Sequence, residues 1–191
     1  MKILIIGLGG IGSFLVSHLQ RAFNNDQFSA DVIIADHDNV ELKNIKYQNF
    51  TKEDVLVNKA EALAKRCSIV SKAIIKKITN ENIKGYDIYV LCVDNFETRR
   101  EVIEYCYKNN KHFIDLRAEG RSVFAMTKNS SLVEDLKTLN DDSKSGSCQK
   151  DYELENNIIQ YGNLIISAIG LQLILNYLRY KETGKRILLH I

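Results

Sequence analysis

The apolar run Ile3-Leu4-Ile5-Ile6 leads straight into Gly7-Leu8-Gly9-Gly10-Ile11-Gly12-Ser13, and this junction constrains the fold more than any other feature of the chain. A short unbroken apolar run closed by glycine reads as a strand buried on both faces, the kind found in parallel sheets covered by helices. The glycines let backbone N–H groups approach a phosphate. A helix expected from about residue 11 to 24 points the positive end of its dipole at the same place. Taken alone, the motif is compatible with NAD, FAD, SAM or ATP.

Beyond it the chain alternates strand and helix signals. Strands are expected at 31–35, from Ser71 to Ile78, from Asp87 to Val93 and from His112 to Asp115, with helical character from Asn58 to Cys67 and from Glu97 to Lys108. Right-handed crossovers then give an α/β fold: a doubly wound, mostly parallel Rossmann-like sheet with helices on both faces, in a single domain over 1–191. Ligands in such sheets sit beyond the carboxyl ends of the strands. Val123 to Thr127 is expected as an edge strand, the polar segment of about 129–151 as a mobile loop, and about 157–181 as an apolar helix. The stretch Tyr161 to Leu178 carries no formal charge, yet Asn163, Ser167, Gln172 and Asn176 interrupt it, which favours a helix buried against the sheet or against a second copy over a membrane span.

Composition excludes several classes. A net charge of +2, with Lys, Asp and Glu evenly scattered, makes no electrostatic case for nucleic acid. Cys67, Cys92, Cys106 and Cys148 form no CxxC pair, so neither a zinc knot nor a disulfide scaffold is indicated, and the first three fall within expected elements as small core residues. Met1-Lys2 is followed at once by the first strand, so no signal peptide is expected and the cytoplasm is the expected compartment. No nucleic-acid or membrane partner is expected.

The order of motifs after the second strand narrows the ligand. Asp36 stands where an acidic residue holds ribose hydroxyls, and the chain continues Asp36-His37-Asp38-Asn39-Val40, then Asn44, Tyr47-Gln48, Lys59 at the head of a helix, and Asp94-Asn95 followed by Arg99. This series resembles the ThiF/MoeB/HesA family, bacterial relatives of ubiquitin-activating enzymes. The resemblance covers roughly residues 1 to 115. The later Asp115-Leu116-Arg117, the polar loop ending at Cys148 and the apolar helix look like small phage- or plasmid-type members. At one place the chain departs from the pattern: Tyr47 precedes Gln48 where the family has Arg, with Lys46 or Arg117 as the alternative source of charge.

The resemblance implies an ATP- and magnesium-dependent adenylyltransferase. In that reaction the C-terminal carboxylate of a ubiquitin-like or sulfur-carrier protein attacks the α-phosphate of ATP and pyrophosphate leaves. It also implies a homodimer or heterodimer. Such chemistry rests on positioning and charge neutralisation. The implied nucleotide contacts are Gly7, Gly9, Gly10, Gly12, Asp36, Asp38, Asn44, Gln48, Lys59, Asp94, Asn95 and Arg99, with Asp94 on the metal. Lys59, Asp94 and Cys148 are the candidate catalytic groups. Bland roles compete: Asp36 as a strand terminator, Asn95 as a helix cap, Lys59 as a solvated surface residue, Arg99 as a partner of a helix carboxylate. Three readings stay open at this point: an adenylyltransferase, a non-catalytic ATP-binding subunit of a heterodimer, and an NAD-dependent oxidoreductase that leaves Asn44, Lys59 and Asp94 unexplained.

Overall fold

The computed structural model describes residues 1–25, 30–79, 81–140, 156 and 158–190. Its centre is a seven-stranded sheet. In chain order the elements are β1 (Lys2–Ile6), α1 (Gly12–Asn25), β2 (Asp31–Ala35), two 3-10 helices (Leu42–Lys46 and Lys52–Asp54), α2 (Lys59–Arg66), β3 (Val70–Ile74), β4 (Ile88–Leu91), α3 (Phe96–Lys108), β5 (His112–Glu119), β6 (Ser122–Thr127), α4 (Leu132–Asn140), α5 (Gly162–Tyr180) and β7 (Arg186–His190).

Spatial order is β3-β2-β1-β4-β5-β6-β7. The pairings from β3 to β5 are parallel, and β6 and β7 add antiparallel. The chain therefore winds outward from β1 to β3 and crosses back to β4 on the other side of β1. The sheet order reverses between β1 and β4, where a crevice opens at the carboxyl ends.

Alternation along the strands divides the core between two faces. Ile3 and Ile5 of β1 pack with Leu15, Val16 and Leu19 of α1 and with Ile166 and Ile174 of α5, whereas Leu4 and Ile6 join Val102, Ile103 and Cys106 of α3. The expected apolar helix thus covers the sheet, lying over β5 and β6 beside α1. Gly170 lets it come close, since a Cβ there would collide with the Leu116 side chain. Among the described residues, no helix is long and apolar enough to cross a membrane. Cys67, Cys92 and Cys106 are buried and unbridged, and burial pushes the Cys106 thiol pKa up.

Several boundaries differ from the sequence reading: β5, expected to stop at Asp115, runs on to Glu119, and β4 covers only Ile88–Leu91 of the expected Asp87 to Val93. β3 ends at Ile74, where its pairing with Ala35 stops, rather than at Ile78. β6 is not the edge, because β7 pairs with its outer side. The expected loop after residue 129 contains α4, with Leu136 and Leu139 against the α3 face of the core; the rest of that loop, 141–151, lies outside the described residues.

Candidate functional site

The ends of β1, β2 and β4 open into a cavity of about 580 Å³ lined by the glycine loop, the Asp36 turn, the first 3-10 helix and the start of α3. The glycines are needed for their backbone. Gly7 has φ +89°, and a Cβ there would lie 2.9 Å from the Cys92 backbone; a Cβ at Gly12 would collide with the Gly7 carbonyl oxygen. Strand, turn and helix can pack this closely only without side chains.

Asp36 holds the turn to the glycine loop. Its carboxylate accepts the Leu8 N–H at 2.6 Å and the Asp38 N–H at 2.9 Å. Asn58 closes the same corner, its side chain donating to the carbonyls of Asp36 (3.2 Å) and Asp38 (3.0 Å) while its Oδ1 caps α2 by accepting the Ala60 N–H at 2.9 Å. Lys59 is thereby set as the first residue of α2. Its ammonium lies 3.1 Å from Asp38 Oδ2, with the lysine side chain 9% exposed and the aspartate 55%. A cation at a helix N-terminus opposes the macrodipole, and Asp38 compensates for part of that.

The first 3-10 helix forms a second wall. Asn44 orders it by accepting the Glu41 N–H at 2.9 Å. The segment is anchored on α1 through Asn49, whose N–H donates to Ser13 Oγ at 3.0 Å and whose side chain donates to Ser17 Oγ at 2.6 Å. Gln48 is buried beside Gly9, and its Oε1 is a buried acceptor with no hydrogen-bond partner among the described residues. Unsatisfied buried groups cost free energy and mark places where a ligand or water completes the structure.

On the far side, Asp94 is exposed at the cavity, and Asn95 caps α3 by accepting the Thr98 N–H at 3.1 Å. Arg99 also lines the cavity, but its guanidinium bonds to the fully buried Asp115 and to the carbonyls of Val93 and Leu116. Arg117 shares Asp115, donating from Nε at 2.9 Å, and also bonds the Thr138 carbonyl at 2.8 Å. Lys46, the other alternative source of charge, is exposed and does not line the cavity. The cavity thus brings together Gly7, Gly9, Gly10, Asp36, Asp38, Asn44, Gln48, Lys59, Asp94, Asn95 and Arg99, with Gly12 packed behind the loop. Cys148 lies outside the described residues.

Sequence reasoning missed Lys43, Lys76, Lys77, Phe96, Phe124 and Leu188, all of which line the cavity. The rule placing ligands beyond strand ends could have found Lys76 and Lys77, which follow β3. The described residues hold one cluster of potential metal ligands, Asp36-His37-Asp38, whose donor atoms lie within 4.8 Å of one another. Asp94 is separate from it.

Fold and geometry together define a doubly wound α/β protein with a cavity of mixed polar and apolar lining at its switch point. The ThiF family pattern matches residues 1–187, and the chain belongs to that family. It is 31% identical over 129 residues to the sulfur carrier protein ThiS adenylyltransferase of Escherichia coli K12, covering 62% of this chain and 49% of that protein. It is 29% identical over 132 residues to ubiquitin-like modifier-activating enzyme 5 of Drosophila mojavensis, covering 58% of this chain and 32% of the enzyme. In fold it is similar to the crystal structure of E. coli MccB with ATP, at TM-score 0.73 and 21% identity, covering all of this chain and 60% of that one. The chain thus spans half or less of the curated relatives it matches.

Proposed function

We propose that this chain is an ATP-dependent adenylyltransferase that activates the terminal carboxylate of a ubiquitin-like protein, sulfur carrier or peptide. The observation that carries the reading is the convergence of the glycine loop, Asp36 and Lys59 on one cavity at the sheet's switch point. Family membership supports it, as do relatives named as an adenylyltransferase and an activating enzyme. Residues 1–191 are read as one ThiF-like domain.

In this reading the glycine-loop amides and Asp36 hold the nucleotide, with the free lone pairs of Asp36 accepting ribose hydroxyls. Gln48 Oε1, a buried acceptor without a donor among the described residues, gains one from the ligand. Lys59 exchanges part of its pairing with Asp38 for a phosphate. Asp94, an exposed carboxylate, suits magnesium, which takes one or two carboxylates and completes its shell with phosphate and water. Bound there, magnesium would neutralise phosphate charge. An oxygen of the acceptor carboxylate bonds to the α-phosphorus, the bond from that phosphorus to the bridging oxygen breaks, and pyrophosphate carries the electron pair away. The acceptor tail is assigned to the row Arg117–Phe124–Leu188, aligned across β5, β6 and β7 and lining the cavity out to the sheet edge. Cys148 is retained as a candidate for thioester or persulfide chemistry, and a homodimer or heterodimer is the proposed assembly.

Tyr47 favours a second reading, a non-catalytic nucleotide-binding subunit. Calorimetric titration with MgATP, with NAD as control, on the wild type, Lys59→Met and Asp94→Ala tests the site: ATP binding that weakens in both variants is expected, and binding of NAD alone would sink it. Pyrophosphate exchange in the presence of carrier protein separates the enzyme from a binding subunit, which would bind without turnover.

A further inference from the structure

We propose that Lys43 supplies the second cation for the polyphosphate tail of the nucleotide, a proposal that rests on the ATP reading above. The other cations at the cavity are placed for different work. Arg99 and Arg117 are held on the buried Asp115. Lys76 and Lys77 follow β3, which lies beyond β2 from β1, so they flank the Asp36 turn on the side away from the glycine loop. Lys59 heads α2 against the Asp36–Asp38 turn, and Lys43 stands on the segment whose Gln48 lies against Gly9.

The segment carrying Lys43 is fixed against the start of α1. Asn49 bonds Ser13 and Ser17 there, and the Gln48 side chain reaches to within 3.8 Å of where a Cβ on Gly9 would sit. Lys43 leaves this anchored segment and lines the cavity. Its ammonium lies 2.9 Å from Glu41 Oε2, and both side chains are more than 60% exposed, at 63% and 61%. An ion pair this exposed is weak, because water screens it and two long side chains must be held in place. A polyphosphate carrying several charges in the same cavity competes successfully for that ammonium, and the flexible four-carbon stem of lysine lets it turn. The same short segment ends at Tyr47, whose hydroxyl lies 3.4 Å from Asn44 Nδ2 and brings no positive charge. Lys43 is the cationic side chain of this wall that lines the cavity; Lys46, on the same 3-10 helix, does not.

The test compares MgATP with adenosine, which keeps the base and ribose but lacks the tail, by calorimetric titration of the wild type, Lys43→Ala, Lys43→Arg and Lys46→Ala. Lys43→Ala should weaken MgATP about tenfold, the size of one lost charge-assisted contact. Adenosine should be unaffected, Lys43→Arg should stay within about threefold, and Lys46→Ala should match the wild type. Adding Tyr47→Arg to Lys43→Ala should restore the lost affinity. Unchanged MgATP affinity in Lys43→Ala, or an equal loss of adenosine, overturns the proposal while leaving the nucleotide reading intact. Failure of the wild type to bind MgATP at all overturns both.

Discussion

The two walls of the cavity handle charge in opposite ways. On the β2 side, Lys59 pairs with an Asp38 that is half exposed, and the pair can part at small cost because water stabilises the carboxylate left behind. On the β5 side, Asp115 is wholly buried between Arg99 and Arg117, and neither guanidinium can leave without stranding charge in the interior. One wall has charge to lend to a ligand. The other spends its charge on holding β5, α3 and α4 together, although both are built from residues that look alike in the sequence.

The largest test of this contrast is Asp115→Ala. It leaves two buried guanidiniums facing each other, and a loss of about 3–5 kcal/mol in unfolding free energy is expected, read from the urea midpoint. A loss near 1 kcal/mol would mean that the β5 wall is as solvated as the other.

At the opposite end of β5, His112 extends the same principle to titration. It is buried and stacked on Tyr177, with ring centroids 3.8 Å apart, and burial, helped by Lys128 and Lys181, lowers its pKa from 6.5 to about 3. A depressed histidine pKa means that the unfolded chain takes up a proton that the fold refuses. Its contribution is intact above about pH 6.5 and is lost as pH falls towards 3, at up to about 1.4 kcal/mol per pH unit. His112→Phe should flatten that part of the stability profile relative to the wild type. Parallel profiles would show that the ring is protonated in the fold.

Lys59→Met probes the lending wall. The apolar stem is retained, so unfolding free energy should change by less than about 1 kcal/mol, while MgATP affinity falls roughly tenfold or more. Loss of stability comparable to that of Asp115→Ala would erase the distinction between the walls.

This difference also explains what the sequence disclosed. The glycine loop, Asp36 and Lys59 were legible because local rules govern them: a tight turn, a strand end, a helix cap at Asn58. The pairing of Arg99 with Asp115 was not legible, because the two are brought near only by the pairing of β4 with β5. The strand β7 escaped notice for the same reason. Its exposed Leu188 and Leu189 have no alternating pattern, and it exists as a strand through pairing with β6, whose own status as an edge was misread in consequence. In α4, Leu132, Leu136 and Leu139 do recur at helical spacing, but the surrounding Ser, Asp and Lys residues hid the period.

The smallest expected effect comes from Tyr47→Arg. Tyr47 is tied to the fold through its carbonyl, which accepts Asn163 Nδ2 at 2.7 Å, a contact that any side chain preserves. Its hydroxyl contributes one long contact to Asn44. Stability should therefore stay within about 0.5 kcal/mol, and with Lys43 serving the polyphosphate a guanidinium added to the lending wall should change MgATP affinity by less than about threefold. The size of the change decides between two histories for this wall. If Lys43 already neutralises the polyphosphate, arginine at position 47 adds little affinity and the wild type turns over with its carrier. If the wall has lost its cation, the variant gains both affinity and pyrophosphate exchange, and the wild type is a binding subunit whose catalytic partner lies elsewhere.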